Sequence, residues 1–284
     1  MLEKFLSNRF FVLYLIPILI GLLTTLSFEP YNITILNFFI LPIFFYLLVH
    51  INKKSKGIYR KKPHKKHLFL FGLLFGFGFY LSGISWITNS LTFDENFKIL
   101  IPLALILIPL FLSLFTALTI LFIGPYLKLN FLSLIIFSGS LAFSDYLRAK
   151  LFTGFPWNMW AYSTSWAIEI LQILNLTGFY FYNLFIITLF TLPAVLFFRL
   201  SVFKKLLTLF VLILIILSLY VYGNYEINNN KKLIETTKHS VFVKVISPNF
   251  DLEYGLSRKQ IEDRFKKIIK YSEPNKEQKT LFIW

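Results

Sequence analysis

Seven uncharged, apolar runs follow one another along this 284-residue chain, and nothing else in it constrains the fold as tightly. They are roughly Phe10–Phe28, Tyr31–Val49, Leu68–Phe93, Ile99–Leu127, Leu129–Ser144, Ile170–Phe198 and Leu206–Tyr225. A helix needs about 20 apolar residues to cross about 30 Å of hydrocarbon, and most of these runs reach that length. The fifth is short unless Asp145–Arg148 carry it to the interface. The fourth and sixth are long enough to tilt or to hold an interfacial turn. Any one run is compatible with a buried helix of a soluble protein, but seven in succession are not. The first run is too long for a leader core, and no small-x-small cleavage site follows it, so it reads as a retained helix. The expected fold is predominantly α: a polytopic membrane helix bundle of about seven transmembrane helices over residues 1–225.

Charge placement supports that reading. The formal net charge is +15, which on its own suits a nucleic-acid partner. Eight of the 29 basic residues, however, crowd between Lys53 and Lys66, in one short loop between apolar runs. That is how a positive-inside topology signal looks, whereas a nucleic-acid domain carries its cations on a folded basic face. With the N-terminus in the cytoplasm, the Lys53–Lys66 loop and the Arg199–Lys205 turn are cytoplasmic. The Asp94-Glu95 loop, the Leu147–Tyr162 stretch and everything after Tyr225 then lie outside. There are no cysteines, so the chain contains no thiol nucleophile, disulfide or cysteine metal site.

The Leu147–Tyr162 stretch interrupts the greasy pattern. It reads Leu-Arg-Ala-Lys-Leu-Phe-Thr-Gly-Phe-Pro-Trp-Asn-Met-Trp-Ala-Tyr. Gly154 and Pro156 force a bend. Trp157, Trp160 and Tyr162 suit the boundary between hydrocarbon and water. An interfacial anchor and a membrane-level entrance for a lipid both fit. Arg148 and Lys150 go against the usual charge bias outside; anionic lipid head groups and plain solvation account for them equally well. In the third run, Gly72 and Gly76 have the spacing of closely packed helices, and Trp86 and Asn89 at its outer end are placed to meet a head group. Glu29 and Glu169 read as solvated or helix-terminal carboxylates, without a catalytic role.

After Tyr225 the composition changes. The last 59 residues hold 8 of the 14 acidic residues and 12 basic ones. Residues 226–240, with Asn228–Lys232, read as a linker. Val241–Ser247 reads as a buried strand. Ser257-x-x-Gln260 is a capping box opening a helix with Ile261, Phe265, Ile268 and Ile269 on one face. Thr280–Trp284 begins a second buried strand. Strand, helix, strand is how an α/β layered domain opens.

Three stretches carry a family resemblance: Leu26-Ser-Phe-Glu-Pro30, Phe75-Gly-Phe-Gly-Phe-Tyr-Leu-Ser-Gly-Ile-Ser-Trp86, and Leu147-Arg148 followed by Phe152-Thr-Gly-Phe-Pro-Trp157. Together and in this order they resemble the apolipoprotein N-acyltransferases of bacterial envelopes. Asp145-Tyr146 stands where that family usually has Glu-Trp. Residues 241–284 are similar to the start of a carbon–nitrogen hydrolase (nitrilase-like) domain, which would make this the N-terminal part of a longer protein.

The resemblance implies an enzyme of the bacterial inner membrane whose C-terminal segment is periplasmic. It implies N-acylation of the diacylglyceryl-cysteine of an apolipoprotein, with a phospholipid as acyl donor and the lipid bilayer as medium. No cofactor, metal or nucleic acid is implied. In such a mechanism a cysteine takes the acyl group as a thioester, a glutamate serves as base and a lysine stabilises the oxyanion. The resemblance puts all three beyond Trp284, so the catalytic residues are expected outside this chain and the chain alone is expected to be inactive. Within it, Arg148, Phe155, Pro156 and Trp157 are the expected substrate-binding residues. Tyr254 is the candidate for the place of a family tryptophan. The rival reading is a polytopic transporter or assembly scaffold with a small extracytoplasmic appendage. Pro102, Pro109 and Pro193 suit its kinked helices, but it lacks the charged midplane residues expected of it.

Overall fold

The computed structural model describes Asn8 and residues 10–58, 63–152, 154–237, 241–251, 253, 255–275 and 279–284. Its contacts divide the chain into two units: residues 1–88 with 101–227, and residues 89–100 with 228–284.

The first unit is a helix bundle. Helix α1 covers Phe11–Ser27, α2 Asn37–Ile58, α3 Pro63–Ile84, α4 Ile101–Ile123 and α5 Phe131–Lys150. Two short helices follow, α6 (Ile168–Leu171) and α7 (Leu174–Thr177), and then α8 (Phe179–Thr191) and the long α9 (Val202–Thr236). Five helical stretches among the described residues are long and apolar enough to cross a membrane: Thr34–Lys53, Lys65–Thr92, Glu95–Tyr126, Phe179–Phe197 and Val202–Thr236. The α1 stretch is apolar but shorter. Helix α5 is not among the five, and its last turn carries Arg148 and Lys150.

The outward face of the bundle is as greasy as its interior. Leu206, Phe210, Leu214 and Leu217 of α9 are all exposed. Only 11% of that helix's apolar window is buried. A surface of this kind suits lipid and not water. In lipid, apolar burial does not drive helices together, so close packing and polar contacts must do so. Both are present. Phe44 stacks on Phe71 and Phe75 and meets Phe137 edge-on, joining α2, α3 and α5. Gly21 and Gly78 let α1 and α3 touch backbone to backbone: a Cβ on Gly21 would collide with the Phe75 carbonyl, and one on Gly78 with the Ile18 carbonyl. Gly72 and Gly76 face Ala117 and Ser113 of α4, as their spacing leads one to expect.

The sixth apolar run holds a turn, one of the two arrangements its length allowed. It is not one helix: Gly178 adopts φ +71°, which separates α7 from α8. An L side chain rarely takes that conformation, so glycine supplies the break. Asn228–Lys232, expected as a linker, is helical and continues α9. The helix hydrogen bonds already running through Leu206–Tyr225 extend into it at little cost, because propagating a helix is far easier than starting one.

In the second unit, β1 (Phe242–Val245) pairs in parallel with β2 (Thr280–Ile283), Phe242 opposite Thr280 and Val245 opposite Ile283. Between them lies α10 (Arg258–Ser272), opened by the expected capping box of Ser257 and Gln260. The strands are not buried as expected. Phe242, Val243, Val245, Leu281 and Ile283 are exposed, and so are Ile261, Phe265 and Ile269 of α10. Two strands and one helix offer too few layers to cover both faces of a sheet.

Candidate functional site at one end of the bundle

The chain from Leu151 to Ser165 forms an irregular but heavily tethered loop. Helix α5 ends at Lys150, and the amide of Phe155 turns back to donate to the Arg148 carbonyl (2.8 Å). Three residues here have left-handed backbones: Phe152 (φ 57°), Gly154 (φ 77°) and Asn158 (φ 56°). Gly154 relieves the strain at the tightest point, where a Cβ would press on the Ala149 carbonyl.

Arg148 holds this loop. Its Nη1 donates to the carbonyls of Phe155 and Trp157, both at 2.6 Å, and its Nη2 pairs with Asp145 at 3.1 Å. The guanidinium carbon sits 5.3 Å from the centre of the Tyr80 ring on α3. Asp145 also accepts from Asn183 of α8 (2.9 Å) and from the Trp160 amide. Asn183 in turn accepts from the amide of Ala161 (2.9 Å). From the other side, Asn37 of α2 accepts from Ser27 (2.8 Å) and donates to Ser163 (3.0 Å). Thr34 donates to the Ser163 carbonyl, and Tyr182 shares a hydrogen bond with Thr164. Buried polar groups need partners, and this set bonds the loop backbone with side chains drawn from three parts of the chain, Thr34, Asp145 with Arg148, and Asn183.

The loop walls a cleft of about 540 Å³. The turn after α1 contributes Phe28 and Glu29, and the outer end of α3 contributes Gly83 and Trp86. The loop itself contributes Pro156, Trp157 and Asn158, with Tyr162 and Ser165 beyond. Gly83 is where α3 makes room: a Cβ there would run into the Asn158 side chain. Glu29, joined to Pro30 by a cis peptide, accepts a hydrogen bond from Ser165 at 3.1 Å. Trp166 donates to Thr34 (2.6 Å), tying the far end of the loop to the start of α2. Burial and the nearby Tyr180 push the Tyr162 phenol above its ordinary range.

The three short stretches picked out in the sequence, spread over more than a hundred residues, thus meet at one cleft. Of the expected binding residues, Pro156 and Trp157 line it, and Trp157 is half-exposed. Phe155 lies just behind, its ring 5.1 Å from that of Trp157. Arg148 does not meet the surface. It is 1% exposed, belongs to the last turn of α5, and holds the wall from within. The reason is local: Asp145 one turn earlier offers a buried counter-charge that solvent or a head group would otherwise have to supply. Tyr254 lies outside the described residues. Sequence reasoning passed over Asn37, Asn183 and Tyr80. Isolated amides inside apolar runs were the signal, because a polar group at membrane depth persists only when it has a partner or a task.

Apolar outward faces, five membrane-length helices and a polar-cored aromatic loop at one end define the class: this is a membrane helix bundle. Residues 20–192 match the family described as the apolipoprotein N-acyltransferase N-terminal domain, and the chain belongs to that family. Curated proteins named apolipoprotein N-acyltransferase are similar to it. The one from Rhodopseudomonas palustris is 32% identical over 182 residues, covering 64% of this chain and 33% of that protein. The one from Rickettsia typhi is 32% identical over 168 residues, covering 58% and 31%. The one from Rickettsia prowazekii is 28% identical over 273 residues, covering 95% of this chain and 51% of that protein. The chain therefore spans between a third and a half of the length of these relatives.

Proposed function

We propose that this chain forms the membrane platform of an enzyme that N-acylates the diacylglyceryl-cysteine of apolipoproteins, with a phospholipid as donor. The observation that carries the reading is the convergence on one aromatic cleft of the three stretches that resemble the family. In this reading residues 1–225 cross the inner membrane about seven times, residues 226–240 connect, and residues 241–284 open a nitrilase-like domain on the periplasmic side. The donor's ester bond breaks as the acyl group passes to a cysteine thiolate, and lysophospholipid leaves. The lipoprotein's amine then attacks the thioester, the amide forms and the thiol returns. Those reacting groups are not in this chain. Its own residues would admit and orient lipid: Pro156 and Trp157 at the cleft, Phe155 behind them, Arg148 fixing their backbone, and Tyr254 in the role of the family tryptophan, as the resemblance implies.

The test is reconstitution of the complete gene product in vesicles with phosphatidylethanolamine and a diacylglyceryl-cysteinyl peptide. The expected result is a peptide heavier by one acyl chain, with slower acyl-enzyme formation in Trp157→Ala. A complete gene product that leaves the peptide unmodified, while transporting a solute or doing nothing, overturns the proposal.

A further inference from the structure

The cleft has a chemical bias that the acyl-transfer reading, on which this inference rests, does not assign. Among the described residues its one charged lining residue is Glu29, and no Lys, Arg or His lines it. Glu29 takes part in no salt bridge among the described residues. A carboxylate has about four acceptor positions, and one is taken here, by Ser165. Four aromatic residues line the same cleft: Trp86 and Trp157, about half-exposed, Tyr162, 40% exposed, and Phe28, which is buried. Arg148 is sequestered behind the wall and paired with Asp145.

Ring faces attract cations, tryptophan best, and a carboxylate beside them adds Coulomb attraction while repelling phosphate. We propose that this cleft is an ammonium subsite: Glu29 pairs with a substituted ammonium group, and Trp86 and Trp157 flank it. Interfacial aromatics sit at the depth where zwitterionic phospholipids place their head groups. The same chemistry is offered by a free α-amine on a lipidated peptide.

The experiment separates these sources. The detergent-purified complete protein is titrated with phosphatidylethanolamine, its N-acetyl derivative and phosphatidylglycerol, and lipid retention is read by native mass spectrometry. A parallel arm uses a diacylglyceryl-cysteinyl peptide with a free or an acetylated amine. Wild type should retain the free-amine form of one ligand pair in preference. Glu29→Gln should weaken that preference about tenfold, equivalent to about 1.4 kcal/mol. Trp86→Leu should weaken it similarly while leaving phosphatidylglycerol retention unchanged. Loss of preference in the lipid arm assigns the subsite to the head group, and loss in the peptide arm assigns it to the amine. Preferences unchanged in both variants, or absent in wild type, overturn the subsite. Acyl transfer is read separately, so a protein that discriminates amines but transfers nothing refutes the reaction and keeps the subsite. One that transfers with Glu29→Gln discrimination intact does the reverse.

Discussion

Removing the Arg148 guanidinium is the sharpest test of how the loop is held. In Arg148→Ala the carbonyls of Phe155 and Trp157 lose their donors, and Asp145 loses its cation while still enclosed by Asn183 and the Trp160 amide. Hydrogen bonds to a charged group contribute about 1.5–3 kcal/mol each. Breaking one side of a buried ion pair costs about 3–5 kcal/mol in all, because the surviving charge is stranded. With about 2–4 °C of melting temperature per kcal/mol for a chain of this size, the drop should be about 6–20 °C. Fluorescence-detected size exclusion after heating in mild detergent measures it. The paired change Arg148→Met with Asp145→Leu should recover at least half of the loss, since no charge is then left alone. A single variant that melts within about 2 °C of wild type would refute the reasoning, and so would a double variant no better than Arg148→Ala.

Four further outcomes follow from the same structure. Asn183→Ala should cost about 2 kcal/mol by stranding the Ala161 amide, and Asn183→Asp should cost more, because it sets a second carboxylate against Asp145; the same melting assay ranks them. Gly78→Leu should abolish monodisperse protein in detergent, because the α1 backbone occupies the space its side chain needs, whereas Gly139→Leu, with open space around it, should be tolerated. Gly154→Ala should cost about 1 kcal/mol through its left-handed backbone and its approach to Ala149, read as a melting shift of a few degrees. These 284 residues lack cysteine, so for this chain expressed as it stands in intact spheroplasts Glu95→Cys should react with an impermeant maleimide and Lys204→Cys should not. The opposite labelling pattern would reverse the proposed orientation.

The membrane bundle was legible because each apolar run is a local property: length and the absence of charge suffice. The close approach of α3 to α4 could likewise be read from the spacing of Gly72 and Gly76. The sixth run's length allowed a turn, but its place could not be read. It turns on Gly178 taking a positive φ, and other glycines in apolar runs, such as Gly76 and Gly139, remain helical. The site was half legible. Trp157 and Pro156 stood out by composition and do line the cleft. Arg148 stood out as a cation in a loop expected outside, and in the structure its partner is Asp145. That outcome depends on burial, which no local pattern encodes. Asn37 and Asn183 went unnoticed because their task exists only once helices far apart in the chain have met.

That last dependence sets an order of assembly. The segment from Trp160 to Thr164 draws its hydrogen bonds from Asn37, made early, and from Asn183 and Tyr182, made some twenty residues after it. During synthesis the Ala161 amide and the Thr164 hydroxyl therefore wait for Asn183 and Tyr182 until Phe179–Thr191 has been made and has docked. A nascent chain stalled before Gly178 should expose this stretch to added protease, and one stalled well past Thr191 should protect it.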